Sequence, residues 1–144
     1  MTMKVSTTGA VLTFALLLGT NTAPAQDTKD PIDKAMDACL AGPGGNNTVG
    51  QVDCAAKAAA SWDRELNQVY QKLLKTLDPS SQTLLRNSQR QWLAFRDAEK
   101  KFGAGPWRAK QGTMVQVTLE LVNVEILRSR VLTLRDYAGS GNPS

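Results

Sequence analysis

Residues 39–54 read CLAGPGGNNTVGQVDC and hold the only two cysteines of the 144-residue chain. Four glycines, a proline and two adjacent asparagines lie between them. Three chemistries compete for the two thiols. A structural zinc site needs four ligands, and two thiolates in a histidine-free chain supply half of them. A thiol nucleophile needs a base, and no imidazole is present to serve as one. A disulfide needs an oxidising compartment. The compartment therefore decides how this stretch is read, and with it how the helices on either side are joined.

The N-terminus speaks to the compartment. Lys4 precedes an uncharged apolar run, GAVLTFALLLG at 9–19, and APA at 23–25 places small residues before a cut after Ala25. This is the layout of a secretory signal peptide. The run is shorter than the roughly 20 apolar residues that a bilayer span requires. No cysteine sits at the cut, so no lipid anchor is expected. The expected boundaries are a signal peptide at 1–25, one domain at 26–138 and a flexible tail at 139–144. The mature chain is expected to be exported, periplasmic or secreted, and not membrane-anchored. In that setting Cys39 and Cys54 pair, and closing a loop of this length is worth about 3 kcal/mol. Asn46-Asn47-Thr48 is a formal glycosylation acceptor, a match short enough to arise by chance. The glycine stretch lacks the Lys-Ser/Thr of a phosphate loop.

Outward from the cysteines the pattern is helical. PIDKAMDACLA at 31–41 repeats apolar residues at 32, 35, 36, 39 and 40, with Asp30 as cap and Pro31 in the first turn. A second helix is expected from about 53, capped by Asp53, to 77, with Trp62, Leu66, Val69, Tyr70, Leu73 and Leu77 on one face. Asp78 and Pro79 open a third, whose Leu84, Leu85, Ser88, Trp92, Phe95 and Phe102 face one side. GAGPW at 103–107 ends it. VQVTLEL at 115–121 alternates as a strand would. The stretch 113–137 has no glycine or proline and a near-heptad repeat, so one long helix is favoured over a strand without a partner. The expected fold is all-α: a small antiparallel helical bundle of one short helix and three longer ones, with one disulfide clipping the short helix to the bundle.

Two stretches are distinctive, SWDRELNQVYQKLL at 61–74 and QRQWLAFRDAEKKF at 89–102. Together with Cys39 and Cys54 they resemble the LprI-like lysozyme-inhibitor family. The carrying residues are Leu66, Asn67 and Tyr70, then Leu85, Gln89, Arg90, Trp92, Arg96, Asp97 and Glu99, with Arg130 and Leu134 in the closing helix. The likeness spans most of 35–136. It implies a non-enzymatic binding protein that inhibits lysozyme by occluding its glycan cleft. The family often carries a second cysteine pair, and Lys100 and Val122 stand at those places here. The family's namesakes are lipoproteins, and no such anchor is expected here.

By helical spacing Trp62, Tyr70, Trp92 and Phe95 are expected in the core. Asn67 and Arg96 are expected to hydrogen-bond between helices rather than to touch a ligand. Glu65, Asp63 and Glu99 form no evident acid pair for glycoside hydrolysis. No metal, cofactor or nucleic-acid partner is expected.

Charge is uneven. Residues 26–63 hold six acids and three lysines, whereas 64–144 hold seven acids and thirteen bases. Many lysozymes are basic, so the acidic part would have to meet the target, through Asp30, Asp33, Asp37 and Asp53. The competing reading is an accessory envelope protein whose basic half meets anionic surface polymers.

Overall fold

The computed structural model describes residues 29–140, so the expected signal peptide and residues 141–144 lie outside the described residues. Among the described residues there are four α-helices and no strand: α1 Pro31–Ala41, α2 Thr48–Thr76, α3 Pro79–Gly103 and α4 Met114–Ser140. Short 3-10 turns at Pro43–Gly45 and Pro106–Arg108 sit in two of the connections. No described helix is long and apolar enough to cross a membrane.

The start signals act as their chemistry predicts at two helices. The Asp30 carboxylate accepts from Ile32 N–H with Pro31 in the first turn of α1. Asp78 accepts from the N–H groups of Ser80 and Ser81 at the head of α3. These bonds satisfy donors that a helix cannot pair internally. The start of α2 differs from the expectation. Its cap is Asn47, whose Oδ1 accepts from Gly50 N–H, and Asp53 lies inside the helix. The glycine stretch is thus folded rather than loose. A Cβ at Gly50 would lie 1.8 Å from the Gly44 carbonyl oxygen, and one at Gly45 would lie 1.7 Å from that of Leu40. The glycines are there because backbone meets backbone. The Gln51 side chain, donating to Gly45 O, closes the turn.

Cys39 and Cys54 form the disulfide, with Cα atoms 5.7 Å apart. It joins the last turn of α1 to the second turn of α2, so that α1 folds back along α2.

Direction follows from the cross-helix contacts. Thr48 meets Met114 near the starts of α2 and α4, and Glu65 meets Arg135 farther along both. These two helices therefore run parallel. Arg130 reaches Ser88 and Gln89, while Gly103 lies beside Leu119, so α3 runs antiparallel to α4. Consecutive long helices alternate in direction, as short connections require. The tightest packing is between α2 and α4 rather than between sequence neighbours. Ala55, Ala58 and Ala59 give α2 a low surface on which α4 can close. Trp62, Leu66 and Leu73 of α2, Leu85 of α3, and Val124, Leu127, Val131 and Leu134 of α4 complete the core. Ile32 and Met36 bring α1 onto it.

The expectation for the face that α3 buries is corrected. Phe95, Leu84 and Phe102 are exposed, at 52%, 68% and 64%, not buried. Because α2 and α4 cover each other, α3 has only a narrow strip to bury, and its wider apolar stripe faces outward. Met114–Ser140 is one unbroken helix, as expected in preference to the strand. That helix also runs through Ser140, two residues past the expected end of the domain.

Candidate functional site

The amino end of α1 is fastened to α4 by charge. Arg128 Nε donates to Asp33 Oδ2 at 2.8 Å. Arg135 donates through Nη1 to Asp30 at 2.6 Å and through Nη2 to Glu65 at 2.7 Å. Asp33 is buried, with 5% of its surface exposed. Burial alone would raise the Asp30 carboxyl pKa. The Arg135 bond, the Ile32 N–H and the nearby guanidinium charges outweigh it and hold the group below its ordinary value. The Asp33 bond chiefly holds the Arg128 guanidinium above its usual value. Arg128 and Arg135 lie two turns apart on α4, and their guanidinium carbons lie 6.0 and 5.7 Å from the centre of the Trp62 ring. The indole N–H of Trp62 is buried without a partner, so this ring acts as apolar bulk and as a cation platform.

A second arginine–tryptophan arrangement lies on α3. Arg96 and Arg130 sit 5.5 and 5.9 Å from the centre of the Trp92 ring. Arg130 donates to Gln89 Oε1 and Ser88 Oγ, and burial lowers its pKa. Arg96 pairs with Asp97 on its own helix at 2.9 Å and reaches Asp63 on α2 at 3.9 Å. Leu66 is buried, and Tyr70 and Trp92 are half-buried against the core. Asn67 differs from the expectation: it is exposed and donates to Asp63 O of its own helix, not to a neighbouring helix. Arg90 is exposed and bonds Asn87. The resemblance-carrying residues of the helices thus line the α2–α3–α4 seams, apart from Asn67, Arg90, Asp97 and Glu99 on the surface.

Of the four acids expected to meet a target, two are held in ion pairs to α4. Asp30 and Asp33 turn inward to Arg135 and Arg128. Asp37 and Asp53 stay exposed, paired with Lys29 and Lys57. The four acids therefore do not form one open acidic face. Sequence reasoning missed Arg128 and Arg135 as the receptors for α1, and Glu65 as the second partner of Arg135. The available signal was the seven-residue spacing of the two arginines on a helix that also carries the core.

Where α3 stands off α4, a cleft of about 410 Å³ opens, lined by Phe102 and Arg108 on one side and Leu119, Val122, Asn123 and Ile126 on the other. Lys100 and Val122, where the resemblance places the family's second cysteine pair, both line it. A shallower depression of about 350 Å³ continues from it over Ala56, Ala59 and Ala60 between Asp63 and Arg96. Asn123 Oδ1 and Arg108 Nε are buried there without hydrogen-bond partners. Phe102 stacks on Trp107 at 5.1 Å, and Arg108 covers the Trp107 ring at 4.6 Å.

Comparison with curated proteins finds no match. Among solved structures the chain is similar to an uncharacterized protein from Burkholderia thailandensis, at 35% identity and a TM-score of 0.71. The likeness covers 78% of this chain and 55% of that one, so the chain spans little more than half the length of that relative. The profile of the family described as "Lysozyme inhibitor LprI" matches residues 39–134, from the first cysteine to Leu134 in the buried stripe of α4. The chain belongs to the LprI lysozyme inhibitor family.

Proposed function

We propose that the protein is an exported, non-enzymatic inhibitor that binds lysozyme and occludes its glycan-binding cleft. The observation that carries this reading is the family match over residues 39–134, which takes in the disulfide, α2, α3 and most of α4. The architecture supports it physically. Helix α1 is fastened at both ends, by the disulfide and by the Asp30 and Asp33 ion pairs, so the surface it presents needs little ordering on binding. The chain is basic, with a net charge of +4, so a basic target is met through local carboxylates. With Asp30 and Asp33 turned inward, Asp37 and Asp53 are the members of the acidic segment left for that role. Mixing the protein with lysozymes of several types and following complex formation by size-exclusion chromatography at low and high salt tests the reading. A complex that weakens with salt is expected. Independent elution from every lysozyme removes the reading.

One observation favours the rival of an envelope protein that meets anionic polymers. Arg86 and Arg90, on the exposed face of α3, bond the neutral amides of Gln82 and Asn87. Binding to anionic cell-wall polymer, lost when both arginines become glutamine, is the result that would favour it.

A further inference from the structure

We propose, resting on the inhibitor reading above, that the Phe102–Trp107 stack at the end of α3 is the part of the protein that enters a lysozyme's glycan-binding cleft, with Lys110 beside it set against the cleft's carboxyl groups. Phe102 is exposed, and so is Trp107, at 50%. The two rings stack with centroids 5.1 Å apart. The Trp107 indole N–H donates to Phe102 O at 2.8 Å, so it needs no partner from outside. Pro106 opens the 3-10 turn Pro106–Arg108 that carries the indole. A Cβ at Gly105 would lie 3.0 Å from Phe102 O and 3.0 Å from Trp107 Cδ1, so a glycine is what lets the indole close this far. Arg108 covers the Trp107 ring at 4.6 Å. An apolar knob is thus set in one shape before any partner arrives, which lowers the ordering cost of binding. Tryptophan is among the side chains that most often anchor interfaces.

Charge points to the partner. Residues 100–113 hold Lys100, Lys101, Arg108 and Lys110 and no acid. Lys100, Lys101 and Lys110 are exposed and form no ion pair among the described residues. A lysozyme cleft is shaped to hold pyranose rings, and a pair of carboxyl groups flanks the bond it cuts. A flat aromatic pair can take the place of sugar rings, and a neighbouring ammonium group answers the carboxylates. Thr48 Oγ1 meets Met114 Sδ at 3.9 Å, which brings the heads of α2 and α4 together. The knob directly precedes α4, so it shares one end of the bundle with Asp53 and the Cys39–Cys54 clip. A carboxylate able to meet the basic surface around a cleft therefore lies at the same end. Other occupants fit less well. An anionic polymer uses the cations but not the stacked rings. A free glycan uses the rings but leaves four cations without an opposite charge. A second copy, meeting the same patch about a two-fold axis, brings those cations against themselves.

The test takes a lysozyme that the wild-type protein inhibits, with a short soluble chitooligosaccharide as substrate, so that the cleft alone is followed. Trp107→Ala and Lys110→Glu should each raise the inhibition constant at least about tenfold. Both side chains are exposed, and Lys110→Glu removes no packing, so it decides the matter if the tryptophan variant folds poorly. Tyr137→Ala, at a similarly exposed aromatic near the far end of α4, should leave the constant unchanged. Tri-N-acetylchitotriose, which occupies the lysozyme's cleft, should displace the protein in a binding competition. Wild-type inhibition that both variants retain, or with which the trisaccharide does not compete, overturns the inference and leaves lysozyme inhibition standing. Absence of binding to every lysozyme removes the inhibitor reading and the inference with it. Binding of the trisaccharide by the protein alone, lost in Trp107→Ala, assigns the stack to a glycan. Self-association of the wild-type protein, lost in the same variant, assigns it to a second copy. Either result overturns the inference.

Discussion

Asp33 shows how one side chain can change its meaning between sequence and structure. At four residues from Asp37 it shares that residue's helix face in a simple wheel, and it looks like part of a solvent-facing acidic strip. The chain folds so that Arg128 lies opposite it, and the carboxylate is drawn into the interface. Asp33→Asn should therefore act on stability. The expected loss is about 1–3 kcal/mol, the usual range for a charge-assisted bond that leaves a partner unpaired, read from chemical denaturation. Asp37→Asn, at an exposed pair, should cost under about 1 kcal/mol. Asp30 adds a pH dependence. Its folded pKa lies below the ordinary 3.8, so its contribution is complete above that value and fades as pH falls through the folded pKa. Melting temperature should accordingly drop as pH is lowered below about 3.8. Asp30→Asn should flatten part of that drop while lowering stability at neutral pH. A residual slope remains from Asp78, whose carboxyl is lowered first by the Ser81 hydroxyl and then by backbone N–H groups. The tryptophans divide by burial. Trp62→Ala should cost about 3–5 kcal/mol, as for an emptied aromatic site. Trp92→Ala should cost less and Phe95→Ala least, because Trp92 is half-buried and Phe95 is half-exposed. Equal costs for Trp62 and Phe95 would contradict the packing described.

At the scale of the element, α1 has 11 residues, a length at which an isolated helix is marginal in water. Its persistence depends on the clip at one end and the arginines at the other. Replacing Cys39 and Cys54 by alanine should lower stability by about 2–5 kcal/mol. Hydrogen exchange should accelerate first in α1 and the 42–47 turn, with the α2–α4 core protected longest. Uniform exchange across all four helices would contradict this hierarchy. The same elements show what was legible beforehand. The positions and types of all four helices could be read from 3.6-residue spacing, from Asp30-Pro31 and Asp78-Pro79, and from the absence of breakers in 113–137. The head of α2 could not, because four glycines read as disorder when each is seen alone. At Gly45 and Gly50 the reason is a close backbone approach that exists only after α1 folds back. The outward face of α3 was likewise hidden: periodicity shows that a stripe exists, not how much of it a partner covers. The cleft was invisible for a related reason. Asn123 and Arg108 are ordinary residues in sequence, 15 positions apart, and only the packing of α4 leaves both unpaired.

For the whole molecule, the fold is a parallel α2–α4 pair with α1 strapped across one side and α3 standing partly off the other. This divides the surface into a rigid face carrying α1 and a more open face carrying the cleft. The inhibitor reading places target binding on structure that is already ordered, so the disulfide should matter to function as well as to stability. The most direct measurement of the central claim is a titration of lysozyme activity on cell walls with the oxidised protein, across several lysozyme types. The account predicts that lysis by at least one type falls progressively to a plateau near zero as protein is added. It also predicts that the Cys39→Ala, Cys54→Ala double variant is a weaker inhibitor. Full lytic activity of every lysozyme at every ratio would contradict it.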